Sequence, residues 1–229
     1  NNVAIVMAGD FDPDKTIALI DQYFGSWKKS DNLSRPEFEA QPAITAVKDT
    51  TVVGKEQENM MLAWLFKGVN DQQNDTLDVI SDLLANGKAG LFEVDLEQKM
   101  KLASAGAFNY GLHDYTAFIV QALPNKGQKL EDTRALVLDE MDKLRRGEFA
   151  DELLPAVMAN KKLNFYKGLD DNENRASIMV DAFINDQKWE DVAKQLDRQS
   201  KLTKKDIIDF ANKHLRADNF VCVYKRIGE

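Results

Sequence analysis

Six short stretches rich in branched and aromatic residues predict β-strands. They are Val3–Met7, Ile44–Val53, Asn59–Phe66, Leu102–Tyr110, Thr116–Leu123 and Phe220–Tyr224. The tight connection Gly111–Asp114 predicts an antiparallel hairpin between the fourth and fifth strands. The turn at Gly54–Glu58 predicts that the second and third strands pair with each other. The pattern therefore indicates a mainly antiparallel sheet.

Apolar residues at helical spacing predict the remaining elements. The predicted helices cover residues 13–24, 75–84, 91–100, 130–144, 150–165, 174–183 and 203–215. Asp12 is the predicted N-cap of the first helix, because Pro13 at the first helical position follows it. Thr203 with Asp206 forms a capping box at the last helix. Together these elements predict an α+β fold in which helices pack on one face of the sheet.

The composition is that of a globular protein, with 229 residues, 44% hydrophobic and 30% charged. The net charge of -8 is spread along the chain without a basic block, so nucleic acid is not an expected partner. No apolar run approaches the roughly 20 residues of a membrane span. The chain opens without a starting Met, and we therefore expect it to be part of a longer polypeptide.

Histidine offers two candidate metal ligands, His113 and His214, and each has a structural interpretation. They lie far apart in the sequence, and neither has a second histidine at helical spacing. His113 precedes Asp114 in the predicted hairpin turn, which is typical of a surface residue. His214 falls in the last turn of a helix, where the macrodipole favours a cation. The sequence therefore predicts neither as a zinc ligand.

Other catalytic chemistry lacks its characteristic residues. The single cysteine, Cys222, lies in an apolar strand and is predicted to be a small buried hydrophobe, with a reactive thiol as the alternative. Neither a Gly-x-Ser-x-Gly elbow nor a glycine-rich phosphate loop is present. We therefore expect no catalytic or metal site in this chain.

Two acidic clusters also have structural interpretations. Residues 170–173 read Asp-Asp-Asn-Glu, without the alternating ligand spacing that calcium requires, and are predicted to be a solvated loop that caps the next helix. Asp139, Glu140 and Asp142 alternate with apolar residues on a helix and are predicted to form an ordinary exposed face.

One segment resembles a known family. Gly9-Asp10-Phe11-Asp12-Pro13, followed eleven residues later by Phe24-Gly25, is similar to a hallmark segment of pitrilysin-type zinc metallopeptidases, which include the mitochondrial processing peptidases. Leu91-Phe92, Leu102-Ala103-Ser104, the Asn109–Asp114 hairpin and residues 206–224 continue the resemblance along the whole chain.

The resemblance implies repeated α+β domains around a peptide chamber, with zinc in an upstream domain. The family's zinc ligands are the histidines of His-x-x-Glu-His and a later glutamate, all upstream of the segment that matches residues 1–25, so none carries over. The family also has an arginine and a tyrosine at positions that align with Glu97 and Ser104. Because this chain lacks that pair, it fits the second, non-zinc domain of a first half-molecule.

The resemblance also suggests a domain division. Residues 1–27 would be the last strand and helix of a preceding domain, 28–43 a linker, and 44–229 the non-catalytic domain. The expected partners are the catalytic domain and peptide substrates, and an orphaned strand at Val3–Ala8 predicts self-association. A degenerate paralogue, or a subunit of a non-proteolytic assembly, is the alternative. Export to the periplasm is suggested by the resemblance alone.

Overall fold

A computed structural model describes residues 1–34 and 36–228 of the chain. Its elements in chain order are α1 (Pro13–Phe24), β1 (Lys48–Gly54), β2 (Asn59–Lys67), α2 (Gln73–Leu84), a π-helical turn (Glu93–Glu97), β3 (Ser104–Gly111), β4 (Tyr115–Leu123), α3 (Leu130–Arg146), α4 (Leu153–Asp170), α5 (Asn172–Ile184), α6 (Trp189–Ala193), α7 (Gln195–Gln199), α8 (Lys204–His214) and β5 (Val221–Ile227). The short helices α6 and α7 were not predicted from the sequence.

The five strands form one sheet in the order β1-β5-β2-β4-β3. Strands β2, β3, β4 and β5 pair antiparallel, whereas β1 pairs with β5 in parallel. The predicted α+β class, the mainly antiparallel sheet and the β3–β4 hairpin are therefore confirmed. The predicted pairing of β1 with β2 is wrong, because β5 lies between them and the loop after Gly54 crosses its end.

The core lies between one face of the sheet and the helices. Alternate residues of β2, Met60, Leu62, Trp64 and Phe66, are buried, as the period of two requires. Helices α2, α3 and α8 contribute the apolar residues that pack against them. Trp64 also donates from its indole nitrogen to the carbonyl oxygen of Arg216 at 3.0 Å, which satisfies its buried polar atom.

Three further predictions concern local structure. Asp12 accepts hydrogen bonds from the amides of Asp14 and Lys15, and Thr203 and Asp206 form the predicted capping box. The helix predicted over residues 91–100 forms only in part. Residues 91–92 are α-helical, and the π-helical turn follows, in which the amide of Gln98 donates to the carbonyl oxygen of Glu93.

The strand predicted at Val3–Met7 does not form. A strand needs a hydrogen-bonded neighbour, and among the described residues this segment pairs with none. Its apolar side chains remain exposed, at 63% for Val3 and 49% for Met7. Between α1 and β1, residues 25–34 and 36–47 contain no helix or strand.

Candidate functional site

The two histidines lie in different surroundings. His113 occupies the β3–β4 turn, where Nδ1 lies 2.6 Å from a carboxylate oxygen of Asp114 and the ring is largely exposed. His214 lies in the last turn of α8, with its ring centroid 4.7 Å from that of Phe210. Burial lowers the pKa of His214, and Lys213 adds to the effect. Burial and the charge of Lys213 thus oppose the cationic state that the helix macrodipole favours.

Cys222 lies on the covered face of β5 and is fully buried. Burial raises the pKa of its thiol, which disfavours the nucleophilic thiolate. The prediction of a small buried hydrophobe is therefore confirmed.

The acidic cluster at residues 170–173 joins two helices. Asp171 accepts a hydrogen bond from the amide of Asn174 at 2.7 Å and caps α5. This satisfies an amide that has no partner within the helix. The predicted capping role is confirmed.

The prediction that the second acidic cluster forms an exposed face is wrong for Glu140, which is fully buried. Glu140 shares the covered side of α3 with Val137, Met141 and Leu144, because these positions fall on one helical face. Lys143 donates to its Oε1 at 2.5 Å, and burial raises the pKa of the Glu140 carboxyl. Its other oxygen, Oε2, has no hydrogen-bond partner among the described residues.

Glu97 and Ser104, the positions aligned with the family's arginine and tyrosine, lie near the start of β3. Glu97 accepts a hydrogen bond from the amide of Ala105 at 2.7 Å, while Ser104 is exposed. Glu93 makes a similar contact, accepting from the amide of Gly87 at 2.8 Å. These two carboxylates hold the backbone on either side of the π-helical turn, and no residue spacing in the sequence predicts this role.

Within residues 1–34 and 36–228, no group of three or more His, Cys, Asp or Glu side chains is arranged to hold a metal ion. The helices in this part of the chain are all too short or too polar to cross a bilayer.

One candidate surface is the sheet face opposite the core, called here the open face. Val221, Ala63, Ile119 and Phe108 lie in register across four strands, and Leu65, Ala117 and Tyr110 form a second row. Most of these side chains are half-buried, and Phe108 and Tyr110 are exposed at the β3 edge. The open face is thus an apolar surface that extends to β3, the last strand of the sheet.

The sequence contained a signal for this surface. In β4 the outward-facing residues Ala117 and Ile119 are apolar, although apolar residues at the inward-facing positions alone would be enough to form the core. A strand that is apolar on both faces is unusual for a sheet with one solvated face. That pattern is typical of a sheet covered on both faces.

Comparison with known proteins gives the context of this surface. The chain is 25% identical over 233 residues to the protein named zinc protease PqqE from Helicobacter pylori, covering 97% of this chain and 51% of that protein. Among solved structures, a protease from Helicobacter pylori matches with a TM-score of 0.87 at 21% identity, covering 96% of this chain and 54% of the other.

More distant structures share the fold. The peptidase M16 inactive domain from Pseudomonas fluorescens matches with a TM-score of 0.77 at 16% identity, over 96% of this chain and 52% of the other. A chain of Complex III2 from Candida albicans matches with a TM-score of 0.70 at 13% identity, over 95% and 53%. The chain thus spans about half the length of each of these four relatives.

The family itself follows from a match to the sequence. The sequence-family model described as the peptidase M16 inactive domain matches residues 1–161, well over half of the chain. This match confirms the resemblance to pitrilysin-type metallopeptidases carried by the Gly9–Pro13 segment. The chain belongs to the peptidase M16 inactive domain family.

Proposed function

We propose that this chain is the non-catalytic second domain of a zinc-dependent metalloendopeptidase and that its open face forms part of the wall of a peptide-binding chamber. The in-register apolar rows of the open face carry the proposal. An extended peptide presents alternate side chains to such a surface.

The proposal places zinc and the catalytic groups in another domain of the same polypeptide. Its support is the similarity to a protein named as a zinc protease and the fact that this chain spans about half of that protein. The catalytic domain would then be the principal partner, and peptides would bind between the two.

The domain division predicted from the sequence remains part of the proposal. Residues 1–27 would pack with the preceding domain, 28–43 would form the linker, and 44–229 would form the non-catalytic domain. The exposed apolar side chains of Val3, Ile5 and Met7 support a contact with another part of the protein. The same residues would let the isolated chain self-associate, and monomers at every concentration in light scattering would contradict that expectation.

The chamber role can be tested by adding this chain to the half of the protein that carries His-x-x-Glu-His and following cleavage of a quenched fluorogenic peptide. We expect cleavage only when both are present. Ala117→Lys places a charge on the open face and should reduce cleavage at least about tenfold. Ala135→Lys makes the same change at an exposed position of α3 and should leave the rate unchanged.

Equal rates for the two lysine variants, with unchanged circular dichroism, would contradict a role for the open face.

The alternative function is that of an interaction subunit in a non-proteolytic assembly, which the fold similarity to a chain of Complex III2 favours. A stable complex of the two halves that lacks peptidase activity would support this alternative.

A further inference from the structure

Strand β1 lies at one end of the sheet and uses only one of its two edges. Its ladder with β5 begins at the amide of Lys48, which donates to the carbonyl oxygen of Phe220 at 3.0 Å. The ladder ends at the carbonyl oxygen of Gly54, which accepts from the amide of Gly228 at 2.9 Å. Successive residues of a strand direct their backbone groups to opposite edges, so the even-numbered residues of β1 face β5.

The odd-numbered residues Asp49, Thr51 and Val53 therefore direct their amides and carbonyl oxygens away from the sheet. These backbone groups have no hydrogen-bond partner within residues 1–34 and 36–228. Every residue of β1 except Gly54 is exposed, with Val53 at 67% and Val52 at 51%. The outer edge of β1 is thus open to another strand.

The opposite end of the sheet is protected. At β3 the hydroxyl of Ser81 in α2 donates to the carbonyl oxygen of Ala107 at 3.0 Å. The carboxylate of Glu97 accepts from the amide of Ala105 at 2.7 Å. These side chains occupy backbone groups that a further strand would need, and no such contact is present at β1 among the described residues.

The sequence of β1 also lacks the usual devices against strand pairing. Exposed edges are commonly blunted by proline, a bulge or a charge in the middle of the strand. Residues 50–53 read Thr-Thr-Val-Val, a β-branched run that favours the extended conformation. Charged residues stand only at its two ends, as Lys48-Asp49 before it and Lys55-Glu56 after it.

The order of these charges makes the edge complementary to a second copy of itself. Two identical edges that form a closed dimer are related by a two-fold axis and therefore run antiparallel. If the axis passes through Val52, Lys48 lies opposite Glu56 of the second copy, and Asp49 lies opposite its Lys55. An axis at Thr51 would instead place Lys48 opposite glycine and Asp49 opposite valine.

Both carboxylates already have a partner within the chain. Asp49 pairs with Arg134 at 2.9 Å, and Glu56 pairs with Lys225 at 2.5 Å. Each of these carboxylates is more than half exposed, and a carboxylate has about four acceptor sites, so each has room for a second cation.

We propose that two copies of this chain pair through β1 in the antiparallel register centred on Val52, which joins their sheets into one. Thr51 of each copy then exchanges backbone hydrogen bonds with Val53 of the other, and the two Val52 side chains meet at the axis. This surface is separate from the open face, and the inference does not depend on the proposed function. A single strand pair buries less than the roughly 1,200 Å² of a standard interface, so the dimer is reversible.

Disulfide trapping tests both the pairing and its register. In this register the two residues at position 52 form a non-hydrogen-bonded pair with Cα atoms about 4.5 Å apart, within the range that a disulfide spans. Val52→Cys should therefore give a covalent dimer of the 229-residue chain in a glutathione redox buffer. Cys222 does not compete, because it is fully buried.

Thr50→Cys is the matched control, because it is exposed on the same face of the same strand. Its equivalents in the two copies would lie about 13 Å apart along the strands, too far for a disulfide. We expect Val52→Cys to give at least about tenfold more covalent dimer on a non-reducing gel. An axis at Thr51 would place both cysteines at equal separations and give equal yields.

Thr51→Pro, added to Val52→Cys, blocks the outer edge. Proline is tolerated on an end strand where its nitrogen faces solvent, so the bonds to β5 remain. The covalent dimer should fall at least about tenfold while the circular dichroism spectrum is unchanged. Equal cross-linking of the two single-cysteine variants, or cross-linking of neither, would overturn the proposal.

Discussion

Lys143 donates a hydrogen bond from Nζ to Oε1 of Glu140 at 2.5 Å, on the side of α3 that meets the core. The same ammonium lies 3.4 Å from a carboxylate oxygen of Asp95, within the π-helical turn. Lys143 therefore joins α3 to the segment before β3 through one fully buried and one partly buried carboxylate. Burying a carboxylate opposes its ionisation, and an ion pair only partly offsets that cost.

Glu140→Gln is expected to raise the urea midpoint at pH 7. Because burial raises the pKa of Glu140 in the folded protein, the carboxyl lowers stability as the pH rises from its unfolded pKa towards the raised folded value. Below the unfolded pKa of about 4.5 the carboxyl is neutral in both states, so the variant and the parent should converge. Urea unfolding at pH 4 and pH 7 provides the measurement.

Asp139→Asn is the control, since Asp139 is an exposed neighbour 3.9 Å from the same lysine. It should change stability little. A Glu140→Gln variant that is less stable than the parent at pH 7 would show that the ion pair outweighs the burial cost.

Gly68→Ala is expected to lower the free energy of unfolding by about 1–3 kcal/mol. A Cβ at Gly68 would overlap the carbonyl oxygen of His113, so the β3–β4 hairpin would have to move. Gly106→Ala in β3 is the matched control, because a Cβ there meets no atom within 4 Å. Chemical denaturation should separate the two variants, and equal stabilities would contradict this account of Gly68.

Cys222 is expected to resist a thiol reagent in the native state. The side chain is fully buried, and its raised pKa suppresses the thiolate. Reaction with DTNB should proceed rapidly in denaturant, and under native conditions at a rate set by opening of the structure. Rapid native labelling of one thiol per chain would show that β5 is more accessible than its burial indicates.

Thr203→Ala is expected to destabilise the protein by about 1 kcal/mol, through loss of the N-cap of α8. In the parent, Thr203 Oγ1 accepts from the amide of Asp206, whose carboxylate accepts from the amide of Thr203 at 2.8 Å. Thr203→Ser retains the hydroxyl and should preserve most of the stability. Thermal unfolding of the two variants tests the cap, and equal losses would rule out the hydroxyl as its source.

The sequence alone determined the features that depend on near neighbours. Alternation in β2 fixed which residues face the core, because successive side chains of a strand point to opposite faces. The caps at Asp12 and Thr203 were readable because their partners lie within three residues. The β3–β4 hairpin was predicted from its short turn, and the family resemblance was carried by the short segment Gly9–Pro13.

Only the tertiary structure decided which distant segments meet. The placement of β5 between β1 and β2 depends on hydrogen bonds between strands that lie more than 150 residues apart, which no local pattern encodes. The same dependence left Val3–Met7 without a strand partner among the described residues, and it buried Glu140 in a face predicted to be exposed. Asp78 of α2 and Asp181 of α5 likewise line one open cleft. Packing across the chain, rather than periodicity along it, determines these relationships.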